Sequence, residues 1–178
     1  AAGKSTLAYT LESVLIDADR AAYVLDGDNV RHGLNKDLGF SHEARSENIR
    51  RIAEVARLMN DSGLIVITAF ISPYREDRQM ARNIIGPGNF FEVHVDTALH
   101  ICEDRDPKGM YQKARVGKIQ NFTGVNAPYE PPVCPDLRIE TTVNSPLACA
   151  LQVLAAVTNK ISWPGSDLPR PEKNADAR

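Results

Sequence analysis

Short apolar, β-branched runs alternate along the chain with stretches whose apolar residues return every three or four positions, a pattern that predicts βαβ units and a parallel sheet. The expected strands are Ala22–Asp26, Leu64–Phe70, Phe90–Val95 and Leu137–Glu140. Between the first two, Ile49, Ile52, Ala53, Ala56 and Met59 fall at helical spacing and predict one apolar stripe against the sheet, with Arg50, Arg51, Glu54 and Arg57 on the other face. Ser145-Pro146 predicts an N-cap and a first-turn proline, after which Leu147, Leu151, Leu154 and Ile161 share one face of a last helix. Glycine and proline cluster at Gly86-Pro87-Gly88 and from Ala127 to Pro135, which predicts surface loops. From Trp163 the chain is rich in proline and charge without periodicity, so residues 1–161 are read as one domain and 162–178 as a disordered tail or linker.

Composition narrows the class. A chain of 178 residues suits one α/β domain with its own core, and 43% apolar with 25% charged residues is the balance of a globular protein, not a disordered or fibrous one. Lys and Arg number 21 against 23 Asp and Glu, so no global field draws the chain to nucleic acid or to a membrane surface, and any phosphate site must be local. Cys102, Cys134 and Cys149 are odd in number and form no C-x-x-C pair, which argues against a disulfide framework and a zinc site and predicts reduced thiols in the cytoplasm. No apolar run reaches the length of about 20 residues that a membrane helix needs.

Local phosphate chemistry is present at the start. Ala1-Ala2-Gly3-Lys4-Ser5-Thr6 precedes a helix-like run and matches the end of G-x-x-x-x-G-K-[ST]. In that motif backbone N–H groups at a helix N-terminus face phosphates, the lysine neutralises β/γ oxygens and the hydroxyl binds magnesium. The first glycine of the pattern and the strand that feeds the loop would lie upstream of Ala1. Alone, a bare GKST is as well explained by an ordinary capped helix.

Further motifs follow in order. Asp26-Gly27-Asp28-Asn29-Val30-Arg31 stands at the C-terminal end of the first strand, the rim at which open α/β sheets bind ligands, although D-G is also a common turn dipeptide. Arg45-Ser46-Glu47-Asn48 opens the next helix, and Phe70-Ile71-Ser72-Pro73-Tyr74 closes the second strand, where Ser-Pro is equally a standard helix start. Between the later strands, Arg105 to Arg115 carries the cations of either a solvated helix or a lid over polyphosphate.

Together, D-G-D-N-x-R-x-G-L-N-x-D-L-G-F ending at Phe40, F-I-S-P-Y-R, R-D-x-K-G and Phe122-Thr123-Gly124 resemble the adenylyl-sulfate kinase family, from Gly3 to about Leu154. The resemblance implies a P-loop NTPase fold with a doubly wound, parallel five-stranded sheet, flanking helices and a lid, the loop-bearing strand lying before this chain. It implies transfer of the ATP γ-phosphate to the 3′-hydroxyl of adenosine 5′-phosphosulfate, with Mg2+.

The roles implied are these. Gly3, Lys4, Ser5 and Thr6 hold ATP, with Arg105 stacking on its adenine. Ser5 and Asp26 serve the metal. Asp28 orients or deprotonates the hydroxyl, a role exchangeable with that of Asp26, and Ser72 is a site some relatives phosphorylate. Asp28, Asn29, Val30, Arg31, Phe40, Arg45, Ser46, Glu47 and Asn48 line the substrate pocket, completed by Ile71, Ser72, Lys108, Asn121 and Phe122, with the adenine between Phe40 and Phe122. Asn121 replaces the glycine usual in the family. A homodimer and fusion or association with an ATP sulfurylase are expected of such chains. The rival readings are a catalytically impaired regulatory module attached to a sulfurylase, and a kinase for another small nucleotide; the presence of Lys4, Asp26, Asp28, Arg31, Lys108 and Ser72 favours an active enzyme.

Overall fold

A computed structural model describes residues 1–158. Four strands, β1 (Ala22–Asp26), β2 (Ile65–Ala69), β3 (Val93–Val95) and β4 (Leu137–Ile139), form two parallel pairs. In one, Ala22 to Asp26 of β1 stand opposite Ile65 to Ala69 of β2. In the other, Val93 to Val95 of β3 stand opposite Leu137 to Ile139 of β4. Five strands in one sheet were expected; the described residues supply four, and no ladder joins β2 to β3. The expected strand Phe90–Val95 shortens to three residues, because the Glu92 N–H donates to Asp136 Oδ2 at 2.7 Å in place of a ladder partner.

Seven helices complete the described residues: α1 (Lys4–Asp17), α2 (Gly27–His32), α3 (His42–Asp61), α4 (Arg75–Ile85), α5 (Leu99–Arg105), α6 (Met110–Arg115) and α7 (Pro146–Thr158). Parallel pairing forces such crossovers, since a strand cannot return parallel through a tight turn. The main core joins Leu7, Leu11 and Leu15 of α1 to Cys149, Ala150 and Val153 of α7 and to Ile139 of β4. Ala22, Ile65, Ile67, Val93 and Val95 pack onto it, so both strand pairs share one apolar layer. On the other side, Leu25 and Val30 bury against Ile52, and Ile49 and Ala53 against Ala81 of α4. Each fully buried aliphatic side chain stabilises by about 1.5–3 kcal/mol.

The expected stripe of α3 is confirmed, with Asn48 added to its buried face. Ser41 starts the helix by accepting the Ala44 N–H at 3.2 Å. Ser145 likewise accepts the Ala148 N–H and starts α7, as expected. The buried face of α7 is different from the one predicted: Leu147 and Leu151 are half exposed, while Cys149, Ala150 and Val153 face α1. Small side chains let two backbones approach closely, so here size of contact, not bulk of side chain, chooses the face. Leu154 packs partly against the core, and Ile161 and the segment 162–178 lie outside the described residues.

Candidate functional site

The C-terminal ends of the strands open into a cavity of about 1870 Å3. Every residue from Leu64 to Pro73 and from Asn89 to Leu99 lines it, so it meets the edges of β2 and β3 as well as their ends. Gly3, Lys4, Ser5, Asp26, Asp28, Phe40, Ser72, Lys108 and Phe122 share its wall.

At one end stands the N-terminus of α1. Gly3 caps it at φ 94, a left-handed conformation, and a Cβ there would meet Thr141 Cγ2 at 3.4 Å. The left-handed backbone is what calls for glycine, since the approach to Thr141 is an ordinary contact. The first turn of α1 carries no acidic residue of its own, so its partial positive charge is left for groups from other elements and for a ligand. Burial pushes the Lys4 ammonium below the usual lysine range, and Cys102 and Asp26 pull it part of the way back. An anion of several charges is the ligand that would reverse this penalty.

Ser5 Oγ donates to Asp26 Oδ2 at 2.5 Å, and Asp26 Oδ1 accepts the Asp28 N–H at 3.0 Å as the N-cap of α2. The first turn of α1, the end of β1 and the start of α2 therefore converge. The exposed Asp28 carboxylate pairs with Lys108, which sits between α5 and α6, and this contact raises the Lys108 pKa. The cationic run after α5 is thus laid across the carboxylates.

The other end is aromatic and cationic. The Arg31 guanidinium lies 4.4 Å from the Phe40 ring centre, and Arg45 lies 5.7 Å from it. Arg31 Nη1 donates to the carbonyls of Leu38 and Gly39, and Arg45 donates to those of Phe40 and Asn121. Arg45 therefore ties the Phe40 loop to the Phe122 loop. Phe122 packs edge-on against Tyr111 at 4.9 Å, and Asn126 Oδ1 accepts its N–H. Asn48 is buried and accepts from Asn35 Nδ2 at 3.0 Å.

This layout, a helix N-terminus with a buried lysine, two carboxylates, and an aromatic pocket with arginines, is where the sequence motifs meet. The family model described as adenylylsulphate kinase matches residues 1–140. The chain belongs to the adenylylsulphate kinase family. The adenylyl-sulfate kinase of Shewanella pealeana is 55% identical over 158 residues, covering 87% of this chain and 77% of that protein. The bifunctional enzyme NodQ of Rhizobium tropici is 57% identical over 151 residues, 85% of this chain but 24% of NodQ. Among solved structures, Mycobacterium tuberculosis APS kinase CysC in complex with AMPPNP and APS matches with a TM-score of 0.86 and 47% identity, over 88% of this chain and 91% of that one.

Within this adenylylsulphate kinase fold, most of the expected residues gather on one wall. Three do not. The Val30 side chain is buried with Leu25 and Ile52, so only its backbone is left for a ligand. Ser46 does not line the cavity. Glu47 turns to Arg50 and Arg51, whose hydrogen bonds hold its carboxyl down at about 2. Arg105 lines the cavity, with Nη1 and Nη2 donating to the hydroxyl and carbonyl of Thr141 at 3.1 Å. Thr97 and Thr141 were not anticipated: at the ends of β3 and β4 their hydroxyls reach the Ala2 carbonyl at 3.2 and 3.0 Å and so brace the phosphate loop. Tyr9 was also missed; its hydroxyl accepts from Asn29 Nδ2 at 3.2 Å.

Proposed function

We propose that this chain transfers the γ-phosphate of ATP to the 3′-hydroxyl of adenosine 5′-phosphosulfate, giving 3′-phosphoadenylyl sulfate. The observation that carries the proposal is the shared wall: Lys4 and the α1 N-terminus reach Asp28 through Ser5 and Asp26 in a continuous chain of contacts. Phosphoryl transfer needs mainly alignment and neutralisation of spreading negative charge, and this wall supplies both.

In this reading Gly3, Lys4, Ser5 and Thr6 receive the ATP phosphates and Arg105 borders its adenine. Phe40 and Phe122 sandwich the adenine of the acceptor, a flat base suited to two ring faces. Arg31 and Arg45 meet the phosphosulfate. Asp28 takes up or orients the hydroxyl proton, and entry of the acceptor separates it from Lys108, which then faces the substrate anion. Asn29, Asn48, Ile71, Ser72 and Asn121 complete the pocket.

Magnesium fits the site. Ser5 and Asp26 place two hard oxygen donors 2.5 Å apart, and no group of three His, Cys, Asp or Glu side chains among the described residues forms a metal cage. That suits an ion held mainly by phosphate oxygens and water. Ser5 and the Asp26 shell would hold it, and it would neutralise phosphate charge.

Two partners follow from the same reading. The match to a quarter of the bifunctional enzyme NodQ supports a place beside a second enzyme unit, for which an ATP sulfurylase is the proposed occupant, and a homodimer is the proposed assembly. Among the described residues no helix is long and apolar enough to cross a membrane. The three unpaired cysteines fit the cytoplasm, where ATP is available. The test is turnover of ATP with adenosine 5′-phosphosulfate, adenosine monophosphate or guanosine monophosphate as acceptor. Preference for either monophosphate would overturn the substrate assignment.

A further inference from the structure

Ser72 occupies an awkward position. Its φ is 42, in the left-handed region that side chains with a Cβ avoid at a cost of about 1–2 kcal/mol. It also precedes Pro73, which restricts the backbone of its neighbour toward extended conformations. Such a conformation persists only where surrounding groups over-determine it. Ser72 lines the cavity beside Ile71, on the side that the proposed function gives to the acceptor.

The holding group is Arg78, one turn into α4. Nη1 donates to the Ser72 carbonyl at 2.7 Å, and Nη2 donates to the Glu130 carbonyl at 2.8 Å. Nε lies 2.8 Å from Glu92 Oε1, and the Arg78 and Glu92 side chains are only 12% and 17% exposed. Both terminal nitrogens are hydrogen-bonded and Nε is ion-paired, in a setting where loss of this cation would leave a shielded carboxylate with only the more distant Arg82. The same loop is held from behind: the Glu130 N–H donates to the Pro73 carbonyl at 2.8 Å, and Glu130 Oε2 accepts the Arg75 N–H at 2.8 Å. Arg82 adds a second cation, 3.7 Å from Glu92 Oε2 and 3.0 Å from Asp136 Oδ2.

We infer that Arg78, which lines the cavity beside Pro73, is a positioning residue that clamps Ser72 in its left-handed conformation and so sets the acceptor pocket. A guanidinium is required because its planar fork spans two carbonyls and a carboxylate at once; an ammonium keeps the charge beside Glu92 but not the fork. The clamp acts on the Ile71–Ser72 side of the cavity and leaves the α1 N-terminus alone. Its effect should fall on one substrate only.

The inference rests on the proposed acceptor, and its test separates the two. Parent, Arg78→Lys and Arg78→Gln are assayed at varied adenosine 5′-phosphosulfate with saturating ATP, and the reverse, alongside thermal unfolding. A parent without acceptor-dependent turnover would defeat the functional reading itself. Given an active parent, Arg78→Lys should raise KM for the acceptor about tenfold, the effect of one lost charge-assisted hydrogen bond, with KM for ATP within about twofold. Arg78→Gln should exceed it in the same direction. Should Arg78→Gln fail to fold, Arg78→Lys decides alone. An unchanged acceptor KM in folded Arg78→Lys, or equal rises in both KM values, would overturn the clamp.

Discussion

Ser5 Oγ and Asp26 Oδ2 meet at 2.5 Å, joining the first turn of α1 to the end of β1. The bond puts the hydroxyl expected to serve magnesium against the carboxylate expected to serve its hydration shell, although 20 residues of helix, turn and strand separate them in the chain. Asp26 is nearly buried and also caps α2 through the Asp28 N–H. Its two oxygens have separate tasks.

Substitution should separate those tasks. Asp26→Asn keeps one oxygen for the cap and removes the charge, so thermal stability should fall by less than in Asp26→Ala, which also loses a cap worth about 0.5–2 kcal/mol. Turnover in both should drop about 100-fold or more, the scale of losing one preorganised electrostatic group. Steady-state assays at several magnesium concentrations, with thermal melts, check this. Wild-type turnover in Asp26→Asn would remove the carboxylate from the mechanism.

Lys4 should be a stability cost as well as a phosphate ligand. Its pKa is lowered from 10.5, chiefly by burial. The folded state therefore disfavours the cation. The penalty is full below the folded pKa and disappears as pH rises from there toward the unfolded value. Lys4→Met should consequently melt above the ligand-free parent near neutral pH. The gap should close as pH climbs toward 10.5. MgADP should raise the melting temperature of the parent and not that of the variant. A variant less stable than the parent at pH 7 would contradict the burial argument.

The Lys108–Asp28 pair is a surface contact, with side chains 68% and 67% exposed, so it contributes little to folding. Its removal should be felt in turnover. Lys108→Ala should melt within about 1 °C of the parent, as surface changes do. Its KM for adenosine 5′-phosphosulfate should nevertheless rise about tenfold from the lost charge-assisted contact. Added salt should shrink the difference, because exposed charges are screened.

The sequence was informative wherever structure depends on near neighbours. The β1 boundaries, the Ser145 cap, the α3 stripe and the Gly3-Lys4-Ser5 turn were all readable, because period and capping chemistry act within a few residues, whereas α3 starts at His42 under the Ser41 cap and not at Arg45 as expected. What escaped depends on distant partners. The shortened β3 follows from the Asp136 carboxylate taking the Glu92 N–H, and the phosphate-loop brace needs Thr97 and Thr141 brought together at 2.9 Å. No local pattern marks either threonine. Val30 and Glu47 were drawn into the pocket by their place in a motif, whereas packing and two arginines direct their side chains elsewhere.

The face of α7 is the sharpest of these differences, and it can be tested directly. Cys149 is 1% exposed and Leu151 is 50% exposed. Cys149→Leu should destabilise by about 1–3 kcal/mol through overpacking against α1, whereas Leu151→Ala should stay within about 0.5 kcal/mol. Denaturant melts distinguish the two, and the reverse order would restore the leucine face.

Phe40 and Phe122 offer the last test, because they differ in what else they touch. Phe40 is 57% exposed and held under two guanidinium groups, so its removal disturbs few packed contacts. Phe122 packs on Tyr111 and is fixed through Asn126. Loss of a ring that stacks on a base costs about 1–3 kcal/mol, or roughly 5- to 150-fold in affinity. Phe40→Ala should therefore raise KM for adenosine 5′-phosphosulfate in that range at constant melting temperature. Phe122→Ala should raise it comparably and lower the melting temperature as well. Phe40→Tyr keeps the ring face and should stay within about threefold of the parent, since stacking depends on the π-face. If Phe40→Ala instead raised KM for ATP and spared the acceptor, the aromatic end of the cavity would have been assigned to the wrong nucleotide.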